Sequence, residues 1–218
     1  TTASGLNAPT KIILIAPGAN YSLLPGSIIH FSKVIDEADI IVMQAEIPYE
    51  TIKRIALLAK QKGKKVLFNP APACLIDEEL MKAIDILVVN ELEAAFISGI
   101  EYTGNNLEEI ALSLLQAGAR NAVITLGSQG VYMKNDKEII QLPGYKVNAI
   151  DTIAAGDTFC GALAVICAQR EIDRDALSFA NAAAAIAVTR SGAQPSIPTL
   201  DEVKHFMLEK ELALSFNF

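Results

Sequence analysis

Short apolar runs rich in β-branched residues recur through this chain, each separated from the next by a longer stretch with helical periodicity. That alternation is what a parallel sheet needs: crossover helices bury both faces of its strands, so the strands read as continuous hydrophobic runs. The runs are Lys11–Ala16, Asp39–Gln44, Lys65–Asn69, Asp85–Val89 and Asn121–Leu126. Between the last two, Leu107, Ile110, Ala111, Leu114 and Leu115 fall on one helical face. Asn105 and Asn106 precede that face, Glu108 and Glu109 occupy its first turn, and Gly118 follows it as a stop. Pro48 and Gly63 bracket another helix in the same way.

Beyond Leu126 the pattern changes. Gly130–Lys134 and Glu138–Leu142, separated by Asn135-Asp136-Lys137, read as a β-hairpin, and Tyr145–Ile150 reads as a further strand. Helices are expected over Ala155–Gln169, Asp175–Val188 and Thr199 to about Lys210. No repeat, low-complexity tract or linker interrupts the 218 residues, so residues 1–218 are expected to form one domain. The expected fold is α/β, a three-layer Rossmann-like sandwich with a mostly parallel sheet and helices on both faces.

Composition removes several function classes. Eighteen Lys and Arg against 25 Asp and Glu give a net charge of −7, which argues against a nucleic-acid or anionic-membrane partner. Cys74, Cys160 and Cys167 are odd in number and form no CxxC pair, and His30 and His205 are the only histidines. A disulfide scaffold, a zinc site and a Cys/His protease are therefore poorly supported. Apolar runs such as Ala182–Val188 fall well short of the ~20 residues of a membrane helix, and no charged-then-apolar leader opens the chain. The expectation is a soluble, cytoplasmic protein.

Three segments carry chemistry. Asp151-Thr152-Ile153-Ala154-Ala155-Gly156-Asp157-Thr158-Phe159 is a run of small residues entering a helix. Such a turn leaves backbone N–H groups pointing outward at the positive end of the helix dipole, where a phosphate or a developing oxyanion can be held. Asp157 beside it is either a base for an incoming hydroxyl or a helix cap, and spacing alone leaves an anion hole and a tightly packed helix start about equally supported. Asn90-Glu91-Leu92-Glu93 follows a strand, where open α/β sheets bind ligands, although an ordinary N-cap with acidic first-turn residues reads the same way. Thr125-Leu126-Gly127-Ser128-Gln129-Gly130 links a strand to the hairpin, with two glycines that any tight turn would use. The absence of GxxxxGK[ST] excludes a P-loop kinase.

Asp151–Phe159 resembles the signature of the ribokinase-like sugar kinases, the PfkB family, and the similarity runs in order from Gly18-Ala19-Asn20 to Pro198. Within that family, Ile153–Asp157 and Gly192-Ala193-Gln194-Pro195-Ser196 point to the ribose-phosphorylating members. The resemblance implies ATP-dependent phosphorylation of D-ribose at its primary 5-hydroxyl, with Asp157 as the base and the amides of Ala154, Ala155 and Gly156 as the anion hole. It implies nucleotide contacts from Asn90, Thr125, Gly127, Ser128, Gly130 and Asn181, and a sugar contact from Glu46. Glu93 would organise Mg²⁺ through water, a role suited to an ion that keeps several waters and binds few carboxylates. Asp151, Ile153, Ala187, Arg190, Gly192 and Ser196 would enclose a monovalent cation, K⁺, mostly through carbonyls.

The same resemblance implies an N-terminal third, bearing most of the sugar grip, a lid and a homodimer contact, that is not found ahead of Thr1. Two outcomes follow: a catalytically competent pentose kinase segment, or a nucleotide-binding module without turnover. A related kinase for fructose, adenosine or another nucleoside is the alternative within the enzymes.

Overall fold

The computed structural model describes residues 17–210. A six-stranded sheet runs in sequence order: β1 (Ile40–Gln44), β2 (Lys65–Asn69), β3 (Ile86–Asn90), β4 (Asn121–Thr125), β5 (Val131–Asn135) and β6 (Ile139–Leu142). β1 to β4 are parallel, and β5 and β6 return antiparallel as the expected hairpin. Its turn is set by Asn135, whose Oδ1 accepts the N–H groups of Lys137 and Glu138.

Helices α1 (Ser32–Glu37), α2 (Tyr49–Gln61), α3 (Glu78–Met81), α4 (Glu91–Ser98) and α5 (Leu107–Gln116) precede or connect the parallel strands. Right-handed crossovers that always step in the same direction put their helices on the same face. The core divides accordingly. Met43, Val66, Phe68, Leu87, Val89, Ala122, Ile124 and Tyr132 face α2–α5. Leu67, Ile86, Val88, Val123, Val131, Met133, Ile140 and Leu142 face the C-terminal helices α6 (Ala155–Gln169), α7 (Arg174–Ala187) and α8 (Leu200–Glu209). The strand alternation thus feeds two separate cores, one per face, and the three-layer sandwich is complete.

Local signals place the helix ends. Asp173 caps α7 through the N–H of Ala176, so that helix starts one residue before the expected Asp175. Thr199 and Glu202 form a capping box on α8. Asn106, by contrast, makes no cap bond to α5; it holds the preceding loop by accepting from Thr103 N–H and donating to the carbonyl of Glu101.

Two expectations are revised. Tyr145–Ile150 joins no ladder: the pairing of β6 ends at Leu142, and Ile150 N–H donates to the carbonyl of Val188 instead. The segment 18–37, not predicted as helical, forms two 3₁₀ turns and α1, tied to α2 by Thr51 Oγ1 donating to the carbonyl of Leu23. The expected strand Lys11–Ala16 lies outside the described residues. Among the described residues β1 and β6 are the sheet's outermost strands, and Val42 on β1 is 38% exposed. Among the described residues no helix is long and apolar enough to cross a membrane.

Candidate active site

The parallel strands bring their carboxyl ends into one row. Gln44 registers with Asn69, and Asn90 with Thr125, so residues far apart in sequence line one edge of the sheet. Side chains stitch that edge: Asn69 Nδ2 donates to the carbonyl of Val88 at 2.8 Å, and Thr125 Oγ1 to that of Val89 at 3.3 Å. Glu46, two residues beyond β1, is exposed, and its neighbour Ala45 donates its N–H to Ala71 beside the cis Ala71–Pro72 bond.

Asn90 caps α4. Its Oδ1 accepts from the N–H groups of Leu92 and Glu93, and Glu93 Oε2 accepts in return from Asn90 N–H at 2.9 Å. The helix-cap reading of Asn90–Glu93 is therefore real, and it fixes where the second Glu93 oxygen sits. Burial pushes the Glu93 carboxyl above its usual range; the Asn90 N–H opposes that rise and the Glu91 charge adds to it.

Across from this edge, α6 begins without a side-chain cap. Ala154, its N-cap residue, has φ +59° and is the only non-glycine residue in the left-handed region among the described residues. A left-handed residue ahead of a helical turn forms a concave nest of N–H groups. Ala155 N–H donates to Thr152 at 3.3 Å and Thr158 N–H to Ala154 at 2.8 Å. Those of Ala154, Gly156 and Asp157 have no acceptor among the described residues, which leaves three donors free for an anion. Asp157 itself is exposed at the mouth of this nest. Burial raises the neighbouring Cys160 thiol to about 12, with the charges of Asp157 and then Glu93 adding to the rise. Both carboxylates are thus near enough to act on one thiol, and that thiol stays protonated and inert. Thr158 Oγ1, buried one residue past Asp157, has no hydrogen-bond partner among the described residues.

The nest is held in place by a second loop. Asp151 Oδ1 accepts from Ile153 N–H at 3.0 Å and Oδ2 from Gly192 N–H at 3.2 Å, while Ile150 and Asp151 both donate to the carbonyl of Val188. The two segments named for a monovalent cation therefore meet. Ser196 is fully buried there, with Oγ donating to Ala193 at 2.6 Å. Ala187 accepts from Arg190 N–H, and the Arg190 guanidinium turns away to pair with Glu202 at 2.6 Å.

Gly127, Ser128 and Gln129 form a 3₁₀ turn, closed by Leu126 N–H donating to Gly130. The turn lies directly on the chain leaving β6. A Cβ on Gly130 would stand 2.1 Å from Leu142 O, and one on Gly144 2.1 Å from Ser128 O. Asn181, 9% exposed on α7, donates Nδ2 to the carbonyl of Pro143 at 2.9 Å. Asn69, Pro143 and Gly144 join the site without a motif to mark them. Only the Pro-Gly pair carried a signal, as a break after the hairpin.

No group of three or more His, Cys, Asp or Glu able to hold a metal ion exists among the described residues. The Glu93 carboxylate nevertheless suits a hydrated divalent cation, because Oε2 alone is taken by the cap and the other oxygen is left over. Where 151–153 meets 187–196, the groups brought together are neutral carbonyls, those of Ala187 and Val188 among them, with the Asp151 carboxylate beside them.

The profile described as pfkB family carbohydrate kinase matches residues 4–200. The chain is 40% identical over 193 residues to a ribokinase of Staphylococcus aureus, covering 88% of this chain and 64% of that protein. It superposes on a crystal structure of ribokinase from Thermotoga maritima with a TM-score of 0.80 at 41% identity, covering 89% of this chain and 64% of the other. It also superposes on Arabidopsis thaliana ribokinase complexed with ribose and ATP, with a TM-score of 0.77 at 28% identity and coverage of 86% and 59%. The chain spans somewhat under two thirds of the length of these relatives.

Proposed function

Because the chain belongs to the pfkB family of carbohydrate kinases, we propose that it carries the nucleotide and catalytic residues for ATP-dependent phosphorylation of D-ribose at the 5-hydroxyl. The observation that carries this reading is the start of α6: three N–H groups without acceptors, with the Asp157 carboxylate beside them.

In this reading Asp157 accepts the proton of the 5-hydroxyl as that oxygen attacks the γ-phosphorus of ATP. The bond from the γ-phosphorus to the β,γ-bridging oxygen breaks, ADP leaves, and the transferred group becomes ribose 5-phosphate. The amides around Ala154–Asp157, Ala155 included if its long bond to Thr152 yields, hold the charge of the phosphoryl oxygens without reorganising, because the left-handed Ala154 already aims them. Asn90, Thr125, Gly127, Ser128, Gly130 and Asn181 form the nucleotide side, and Glu46 orients the sugar. Mg²⁺, when bound through water to Glu93, would offset phosphate charge. K⁺ beside Asp151, Ile153, Ala187, Arg190, Gly192 and Ser196 would stiffen the loop that carries the nest.

A second reading is nucleotide binding without turnover by these 218 residues. Phosphoryl transfer needs the acceptor held in line at near-attack distance. Here Glu46 and Asp157 alone are assigned to the sugar. Calorimetry with ADP and Mg·ATP, run beside a coupled ADP-release assay with D-ribose, separates the two. Ribose-dependent ADP release that disappears in Asp157→Asn supports the kinase. Nucleotide binding with no release supports the module, and no nucleotide binding removes both.

A further inference from the structure

The Asn181 side chain is nine-tenths buried, and its amide nitrogen is engaged inside the protein. Its acceptor, the carbonyl of Pro143, lies just past the last ladder pair of β5 and β6, Val131 with Leu142. Pro143 also has no N–H, so neither of its backbone groups is held by the sheet. Among the described residues Asn181 Nδ2 is the one donor recorded to that carbonyl.

What sits on the other side of Pro143–Gly144 is the 127–130 turn. The Cβ positions of Gly130 and Gly144 fall within 2.1–2.7 Å of backbone atoms of the opposite segment. Two backbones therefore touch with no side chain between them, and each limits the other's movement. The contact is one-sided, however, because Gly127, Ser128 and Gln129 are exposed on their outer surface. A shift of Pro143–Gly144 away from α7 would free the turn in the same direction.

We propose that Asn181 is a positioning residue of the nucleotide site. It anchors Pro143–Gly144 to α7, and through that pair holds the 127–130 turn at the height that receives the nucleotide. This rests on the nucleotide role proposed above for that turn. It makes a specific claim about base identity: a residue acting through backbone supports every nucleotide alike, whereas one touching the base supports only the base it recognises.

The test uses the full chain with Asn181→Ala, and with Asn181→Ser should the alanine variant fail to fold, serine being too short to reach Pro143. Calorimetry with ADP, GDP and CDP gives the first readout, and amide hydrogen exchange of the nucleotide-free protein gives the second. Expected is a similar weakening for all three nucleotides, about tenfold. Exchange should be faster at residues 127–130 and 144, with that of β3 unchanged. Loss confined to ADP overturns the proposal in favour of a base contact. Unchanged affinities in a folded variant overturn it as well. A wild-type chain that binds none of the three refutes the nucleotide reading itself, and the positioning claim falls with it. The exchange data then show separately whether the anchor existed.

Discussion

Replacing Lys65 with Met tests how α6, the helix that presents Asp157, is fixed to the sheet. Lys65 opens β2, and its Nζ donates to the carbonyls of Cys167 at 2.8 Å and Arg170 at 2.7 Å, at the far end of α6 from the nest. Carbonyls in a last turn have no intrahelical partner, and a cation there also meets the negative end of the dipole. Hydrogen bonds to a charged group contribute about 1.5–3 kcal/mol each. The Lys65 side chain is 29% exposed, so water recovers part of that, and Met keeps the packing of the aliphatic stem. The ion pair to Glu171 at 3.5 Å adds little, since the Glu171 side chain is 64% exposed. The expected net loss is about 2 kcal/mol, or roughly 4–8 °C in Tm for a chain of this length. Urea denaturation of wild type, Lys65→Met and Glu171→Gln should show Lys65→Met with an unchanged m-value and Glu171→Gln within about 0.5 kcal/mol of wild type. A Lys65→Met loss below about 0.5 kcal/mol would mean that water replaces both bonds, and the anchoring argument would be refuted.

Asp157→Asn should leave nucleotide affinity nearly intact and lower kcat by at least about 10²-fold in a turnover-competent form, as read in single-turnover assays. Glu93→Gln keeps the cap acceptor but removes a carboxylate whose pKa burial raises. A raised pKa means the folded state favours the neutral form, so wild type loses stability relative to the variant as pH rises through that pKa. Melting curves should show Glu93→Gln more stable at neutral pH and level with wild type below the usual carboxylate range, while calorimetry shows weaker Mg·ATP binding. Exchanging K⁺ for Na⁺ or a bulky organic cation at constant ionic strength should lower activity, and equal rates in all three salts would remove the 151–196 cation loop from the mechanism.

The parallel strands were legible because burial on both faces forces continuous apolar runs, and four of the five predicted ones stand within a residue of their expected ends. The hairpin was legible from Asn135-Asp136-Lys137. Tyr145–Ile150 misled because its apolar residues serve packing instead of a ladder: Tyr145 lies against the core of the C-terminal helices, edge-on to Phe206. Segment 18–37 was illegible because its turns rest on tertiary contacts such as Thr51 with Leu23, which no local pattern encodes. At the site, helix caps and small-residue turns could be read as types, but the left-handed Ala154 could not, because a positive φ is ordinarily marked by glycine and alanine gives no such signal. The Asn181–Pro143 anchor joins residues 38 apart through a side chain whose partner is a carbonyl, and carbonyls leave no mark in a sequence.

Because every crossover helix lies on one face, the chain emerging from a ribosome completes one side of its sheet long before the other. β1 is made more than a hundred residues ahead of α6, the first helix among the described residues to cover its opposite side. At about 5–20 residues per second, that surface waits several seconds or longer for its cover. During the interval Leu67, Val88 and Val123 lack the α6–α8 side chains that they pack against in the folded protein. The helix that begins this cover, α6, also carries Asp157, so burial of that face and assembly of the site start together.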